Sequence, residues 1–333
     1  MGGRTELSRP LGVLLARGHR SPSAGDNFRV GARCDNRKVP EAERPLPHAA
    51  LRAGLNVTAG LLHLLGSHRY RLADAMANFA FAVQPRRRAI TAANFQKVVP
   101  GLDRRAARQL AARSYREYAR TGLDFVYVHR LSRPRLMSTF VSFGAERLLD
   151  LRLRGQGAVL VLFHLGTWDA GGAYATAIGL PLTVVMADEG SAAIRDLVVW
   201  ARSEMGMHTV LASRSPRAVL AALRRGEVVA LVADIPGDTP SLEVEFLGHL
   251  TEISDLPYRL AQHTGCPLLP VVAVRSPAGG YFIEVHDAVQ VAPGADPQRA
   301  LRPMIEVFER AVRRWPEQWY PFEKGRLRDP RPA

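Results

Sequence analysis

Two residue types able to share a proton, His164 and Asp169, lie five positions apart where an apolar run meets a turn, in Ala158-Val159-Leu160-Val161-Leu162-Phe163-His164-Leu165-Gly166-Thr167-Trp168-Asp169. An imidazole beside a carboxylate suits general-base work. The acid holds the ring in one tautomer and stabilises the imidazolium once the ring has taken a proton. Spacing alone says little, because ten histidines and 31 acids in 333 residues give about one such match by chance. The surroundings say more. The Val/Leu run reads as a buried strand, Gly166 permits a tight turn, and Thr167 is an N-cap candidate for a helix starting at Trp168. Asp169 then falls in the first helical turn. Asp234 directly follows a second apolar run, so His164 and Asp234 can face one cleft at the carboxyl ends of parallel strands. The Asp-x-Pro-Gly sequence beginning at Asp234 is also strong turn chemistry, which favours a capping role for that acid.

The elements that must position these residues follow from periodicity. Residues 1–47 are rich in Gly, Pro, Ser and Arg without sustained periodicity and read as a flexible leader. Residues 48–135 read as a helical region, with apolar faces at three- and four-residue steps (Leu51, Leu55, Leu62, then Leu72, Met76, Phe79) and punctuation at Pro85 and Pro100-Gly101. Residues 136–333 read as an α/β core. Strands are expected at 158–163, 182–186, 209–211, 228–232, 244–247, 268–274 and 281–285, with helices at 192–205, 216–225, 256–264 and 297–314 between and after them. That alternation predicts a mostly parallel central sheet flanked by helices, an α/β fold with an N-terminal helical region.

Composition bounds the function. A hydrophobic fraction of 47% supports a full core, and a net charge of +14 favours anionic partners. The arginines of residues 86–120 suit a membrane surface or the phosphates of a thioester donor as well as a plain solvated face. Nucleic acid is disfavoured: there is no zinc finger, no RRM signature and no interleaving of aromatic and basic residues. Cys34 and Cys266 lie far apart and outside any metal-ligand spacing, so neither a structural disulfide nor a metal site is expected. No run reaches the roughly 18 apolar residues of a spanning helix. No Gly-x-Ser-x-Gly elbow, Walker A sequence or dinucleotide fingerprint follows a strand, which removes serine hydrolases, P-loop enzymes and Rossmann dehydrogenases.

Several blocks, taken in order from about Ala50 to Arg326, resemble the LpxL/HtrB-type lysophospholipid acyltransferases, which include the lipid A late acyltransferases and the actinobacterial phosphatidylinositol mannoside acyltransferases. Asn94-Phe95 and Pro100 look like the family's early signposts. His164-Leu165-Gly166-Thr167-Trp168-Asp169 is similar to its His-x-Gly-Asn-Trp-acid block, with Thr167 in place of Asn. Arg202 to Gly206 resembles an Arg-x3-Gly step. Ala230 to Asp234, Val244 to Gly248 and Pro257 look like the segment that follows, and Pro316-Glu317-Gln318-Trp319 matches the tail.

The resemblance implies O-acyl transfer from acyl-CoA or acyl carrier protein to a hydroxyl of a glycolipid or phospholipid-type acceptor, with no cofactor, at the inner face of the cell membrane from the cytoplasmic side. His164 is then the base and Asp169 its orienting acid. Glu189 and Glu243 are candidates to bind a polyol acceptor, Arg202 to hold a phosphate, and Asp234 to bind substrate. Two alternatives share these residues: an acyltransferase of specialised metabolism with a soluble or carrier-bound acceptor, and a non-catalytic lipid-surface protein.

Overall fold

The computed structural model describes residues 49–187, 191–212, 216–236 and 240–329. The leader assigned to residues 1–47 lies outside them. Four helices come first: α1 (Ala49–Leu65), α2 (Arg69–Val83), α3 (Pro85–Val98) and α4 (Arg104–Val128). Pro85 opens α3 at a position where its missing N–H is harmless, and Asp103 caps α4 by accepting from the Ala106 N–H at 2.7 Å. Alanines 59, 73 and 77 are buried, whereas Leu61, Leu64, Leu72, Met76, Phe79 and Val83 face outward. Among the described residues no helix is long and apolar enough to cross a membrane.

After α5 (Arg133–Ser138), the chain alternates through β1 (Phe140–Phe143), α6 (Ala145–Leu153), β2 (Ala158–Leu162), α7 (Trp168–Ala177), β3 (Leu182–Met186), α8 (Ala192–Glu204), β4 (His208–Leu211), α9 (Pro216–Arg224) and β5 (Val228–Val232). It then runs through β6 (Ser241–Phe246), β7 (His249–Ser254), α10 (Leu256–Thr264), β8 (Leu268–Arg275), β9 (Tyr281–Val285) and α11 (Pro297–Arg314). Seven strands form one sheet in the order β1-β9-β8-β2-β5-β3-β4. Every pairing is parallel except β8 with β9. The expected mostly parallel sheet with flanking helices is what the chain forms. β2 is buried at all five positions because it lies in the middle with helices on both faces.

Two strands escaped the sequence reading. β1 is a four-residue edge strand with three exposed positions, too short for its Phe-Val-Ser-Phe sequence to stand out as a strand. β7 pairs antiparallel with β6, the hairpin starting at Ser241 rather than at Val244. Its two-residue turn is Leu247-Gly248, both at positive φ (+53° and +79°), the backbone of a tight hairpin turn. Leucine is an unusual choice there, which is why the turn carried no signal. The Leu247 N–H donates to the buried Glu309 carboxylate at 2.9 Å, a bond that helps hold the strained conformation.

Candidate active site

Strand register brings the central pair together. Leu162 of β2 is level with Val232 of the neighbouring β5, so two residues further along both strands His164 and Asp234 emerge side by side at the carboxyl edge of the sheet. Asp234 Oδ1 accepts from the main-chain N–H of His164 at 2.8 Å and lies 2.8 Å from its Nδ1. Its other oxygen is paired with the guanidinium of Arg326. Burial alone pushes the Asp234 carboxyl up, but Arg326 and then His164 outweigh it and hold the group down at about 2. An ionised Asp234 favours the Nδ1–H tautomer of a neutral ring, in which Nε2 carries the lone pair. Among the described residues Nε2 has no protein partner, and the ring is 29% exposed. Such an arrangement can serve as a general base.

The turn carrying His164 is stapled from three sides. Gly166 has φ +71°, and a Cβ there would collide with the Ala273 carbonyl oxygen of β8, so the position needs glycine twice over. The N–H of Gly166 donates to the Gln318 carbonyl and that of Thr167 to the Ala273 carbonyl, both at 2.7 Å. Tyr320 N–H donates to the His164 carbonyl at 3.1 Å. Thr167 sits at the N-cap position of α7 but makes no side-chain capping bond; its hydroxyl is buried instead.

Beneath the turn lies a buried ionic cluster. Arg275, at the end of β8, donates from Nε and Nη2 to Asp124 of α4 at 2.9 and 2.6 Å and pairs with Glu117. Burial pulls the Arg275 guanidinium down, and the two acids more than restore it, raising it above the ordinary arginine value. Tyr70 of α2 donates to Asp124 at 2.8 Å. Thr121 and Tyr320 both aim hydroxyls at the Gly166 carbonyl, at 3.1 and 3.2 Å. Burial raises the Tyr320 phenol far above its usual range, so it stays protonated and can donate. Removing one member of such a cluster strands its partners. Asp124→Ala is expected to lower stability by about 3–5 kcal/mol, read as a shift in the urea midpoint.

The residues singled out from sequence divide. His164 and Asp234 are brought together, with Asp234 on the ring rather than capping a turn. Asp169 is turned elsewhere: Arg202 Nε of α8 donates to its Oδ1 at 2.8 Å, and the carboxylate on His164 Nδ1 is that of Asp234. The reason is packing. α7 carries Asp169 in its first turn beside α8, whose Arg202 is buried and needs an anion. Among the described residues, Arg202 Nη1 is buried with no hydrogen-bond partner. Glu243 lies on β6 opposite Glu252 of β7, and Arg328 bridges the two carboxylates at 3.0 Å each. A like-charge cross-strand pair is held together by that shared cation. Glu189 lies outside the described residues. Among the described residues there is no cluster of His, Cys, Asp and Glu able to hold a metal.

Two contributors were missed by sequence reasoning as site residues, Arg326 and Tyr320. Both lie in the C-terminal segment, which Asn94 of α3 clasps by donating to the carbonyls of Pro321 and Glu323 at 2.9 and 3.0 Å. Gln318 extends the β8 ladder by bonding both the N–H and the carbonyl of Arg275. The tail sequence around Pro316 was the signal that this segment matters; it gave no hint that Arg326 reaches Asp234.

Comparison with known proteins gives one family model, bacterial lipid A biosynthesis acyltransferase, matching residues 46–327. The chain is 27% identical over 190 residues to a phosphatidylinositol mannoside acyltransferase of Mycobacterium tuberculosis strain H37Rv, covering 56% of this chain and 60% of that protein. It is 24% identical over 220 residues to a protein of the same description from Mycolicibacterium smegmatis, covering 65% of this chain and 72% of that one. The match thus spans about 60% of the length of the Mycobacterium tuberculosis relative.

Proposed function

Because the chain belongs to the family of bacterial lipid A biosynthesis acyltransferases, we propose that it moves a fatty acyl group from a thioester donor, acyl-CoA or acyl carrier protein, to a hydroxyl of a glycolipid acceptor. The observation that carries this reading is His164, with Nδ1 committed to a buried ionised Asp234 and Nε2 open to solvent. Nε2 takes the proton of the acceptor hydroxyl as its oxygen attacks the thioester carbonyl. The tetrahedral intermediate then collapses, the carbon–sulfur bond breaks, and the imidazolium returns the proton to the departing thiolate. Atoms balance without a covalent enzyme intermediate or a cofactor. Asp234 and Arg326 set the tautomer and orientation of the ring, and the Asp169–Arg202 pair locks α7 against α8 beside it.

The names of the mycobacterial relatives support a glycosylated phospholipid as acceptor. Membrane recruitment has support of its own. Apart from the buried Leu62, α1 and α2 bury mainly alanines and turn several larger apolar residues outward, with Leu64 86% and Phe79 70% exposed. Soluble proteins seldom display such a surface without a partner. The neighbouring α3 and α4 carry the exposed arginines 86, 87, 104, 105, 108 and 113 against one acid, Asp103, in that stretch. The protein on this reading docks peripherally on an anionic cytoplasmic membrane face.

The test is to incubate purified protein with palmitoyl-CoA and a panel of anionic glycolipids in vesicles, following thiol release and acylated lipid by mass spectrometry. Acceptor-dependent thiol release matched by an acylated product is the expected result. A folded protein that acylates no member of the panel with either palmitoyl-CoA or palmitoyl carrier protein would overturn the reading.

A further inference from the structure

An aromatic strip joins the outward apolar face of α2 to His164. Trp168 stands edge-on to the His164 ring at 5.2 Å and contacts Tyr320 at 6.0 Å. Tyr118 of α4 packs on Tyr320 at 5.1 Å and on Phe322 at 5.2 Å. Phe322 touches Tyr115 at 4.9 Å, and Tyr115 touches Phe81 of α2 at 5.2 Å. The strip thus ends on the helix whose Phe79 and Val83 point outward.

Its members are not all core. Tyr320 and Tyr115 are buried, as a foundation must be, but Trp168 and Phe322 are only partly covered, and Tyr118 is 47% exposed on the surface of α4. An aromatic residue held half-open by ring contacts on two sides is a prepared apolar surface rather than a frayed one. Part-way along it the exposed Arg87 guanidinium lies 5.2 Å from the Phe322 ring centroid. Among the described residues it makes no ion pair with an acid, and Arg86 beside it is also exposed. A positive group part-way along an apolar strip, between its outward end on α2 and a base, complements an amphiphile whose phosphate joins a chain to a hydroxyl-bearing head.

We propose that this strip is the seat of the lipid acceptor drawn from the bilayer. The lipid phosphate sits at Arg87 over Phe322, its chains run back past Phe81 to the outward face of α2, and its hydroxyl-bearing head runs forward past Tyr118 and Trp168 to His164. The acceptor rather than the donor is the occupant because the strip starts at the outward apolar face of α2, where a lipid already in a membrane can slide on without crossing water. The assignment of the occupant rests on the acyl-transfer reading, whereas its occupancy by lipid can be measured without turnover.

The experiment follows tryptophan emission on titration with phosphatidylglycerol vesicles doped with a phospholipid whose headgroup carries a nitroxide, a contact quencher, with co-sedimentation of the same vesicles in parallel. Quenching is expected in the wild type, and Trp168→Phe should remove at least about half of it. Tyr118→Ala and Arg87→Glu should each raise the lipid concentration for half-quenching about tenfold, roughly what loss of one phosphate contact or one ring platform produces. Tyr118→Phe, which keeps the ring, should stay within about twofold of wild type. Vesicles that sediment with the protein but quench Trp168→Phe as strongly as wild type would overturn the proposal. So would quenching by bromopalmitoyl-CoA without vesicles that shows the same sensitivity to Arg87→Glu, since the strip would then serve the donor. Quenching as expected in a protein that transfers no acyl group would keep the strip and sink the transferase reading instead.

Discussion

Replacing His164 with alanine is expected to lower acyl transfer by about 100- to 10,000-fold, the usual contribution of a positioned general base. The protein should remain folded. The ring is partly exposed, and the contacts that hold this turn use the main chain of His164: its N–H donates to Asp234 and its carbonyl accepts from Tyr320, both of which an alanine keeps. Gly166, Thr121 and Gln318 go on pinning the following residues. The loss should therefore lie in the rate of the chemical step, with the KM of donor and acceptor little changed, as expected when a group acts only in the transition state. Initial rates of thiol release and product formation, beside circular dichroism and a urea curve, check this. A folded variant with normal transfer would remove His164 from the mechanism.

That His164 stood out in the sequence has a physical cause. A strand buried on both faces must be a continuous apolar run, and the first polar residue after it marks the carboxyl edge of the sheet, where parallel α/β folds place their chemistry. The same logic marked Asp234 after β5. What the sequence does not carry is strand order. β2 and β5 are adjacent although β3 and β4 lie between them in the chain, so the 70-residue step from His164 to Asp234 closes only once the sheet is built. The nearer acid, Asp169, looked like the partner because sequence displays local spacing and hides the claim that a buried Arg202 on another helix makes on it. Arg326 illustrates the extreme. It lies 92 residues beyond Asp234, in an irregular segment held by Asn94, Gln318 and Ser114, and no periodicity or turn signature announces it. The hairpin turn at Leu247-Gly248 was hidden for the opposite reason, since its residues break the usual turn chemistry and a buried Glu309 compensates.

The two acids can be told apart by their amides. In Asp234→Asn one side of the group becomes an NH2. If the amide oxygen stays toward His164, the NH2 faces the Arg326 guanidinium, donor against donor; if it flips, the NH2 faces the His164 N–H and Nδ1, which must then give up its proton to Nε2. The second arrangement fixes the wrong tautomer, and both remove the charge that stabilises the imidazolium. Transfer is expected to fall by about 100- to 10,000-fold. A stability change accompanies it with a definite sign. Asp234 is held at about 2, below the roughly 3.9 of an unfolded aspartate, so its ionic contribution, about 2 kcal/mol, is present above pH 4 and is lost as pH falls toward 2. Asp234→Asn should abolish that part of the acid sensitivity, visible as a flatter stability profile between pH 4 and 2. Asp169→Asn has a different signature. It weakens the mostly buried pair that ties α7 to α8 and should lower stability by about 3 kcal/mol, while a sample kept well below its midpoint loses less than about tenfold in rate. Measured side by side, the two variants decide which carboxylate serves the histidine. A large rate loss in Asp169→Asn with near-normal transfer in Asp234→Asn would return the orienting role to the acid that the sequence places five residues from His164.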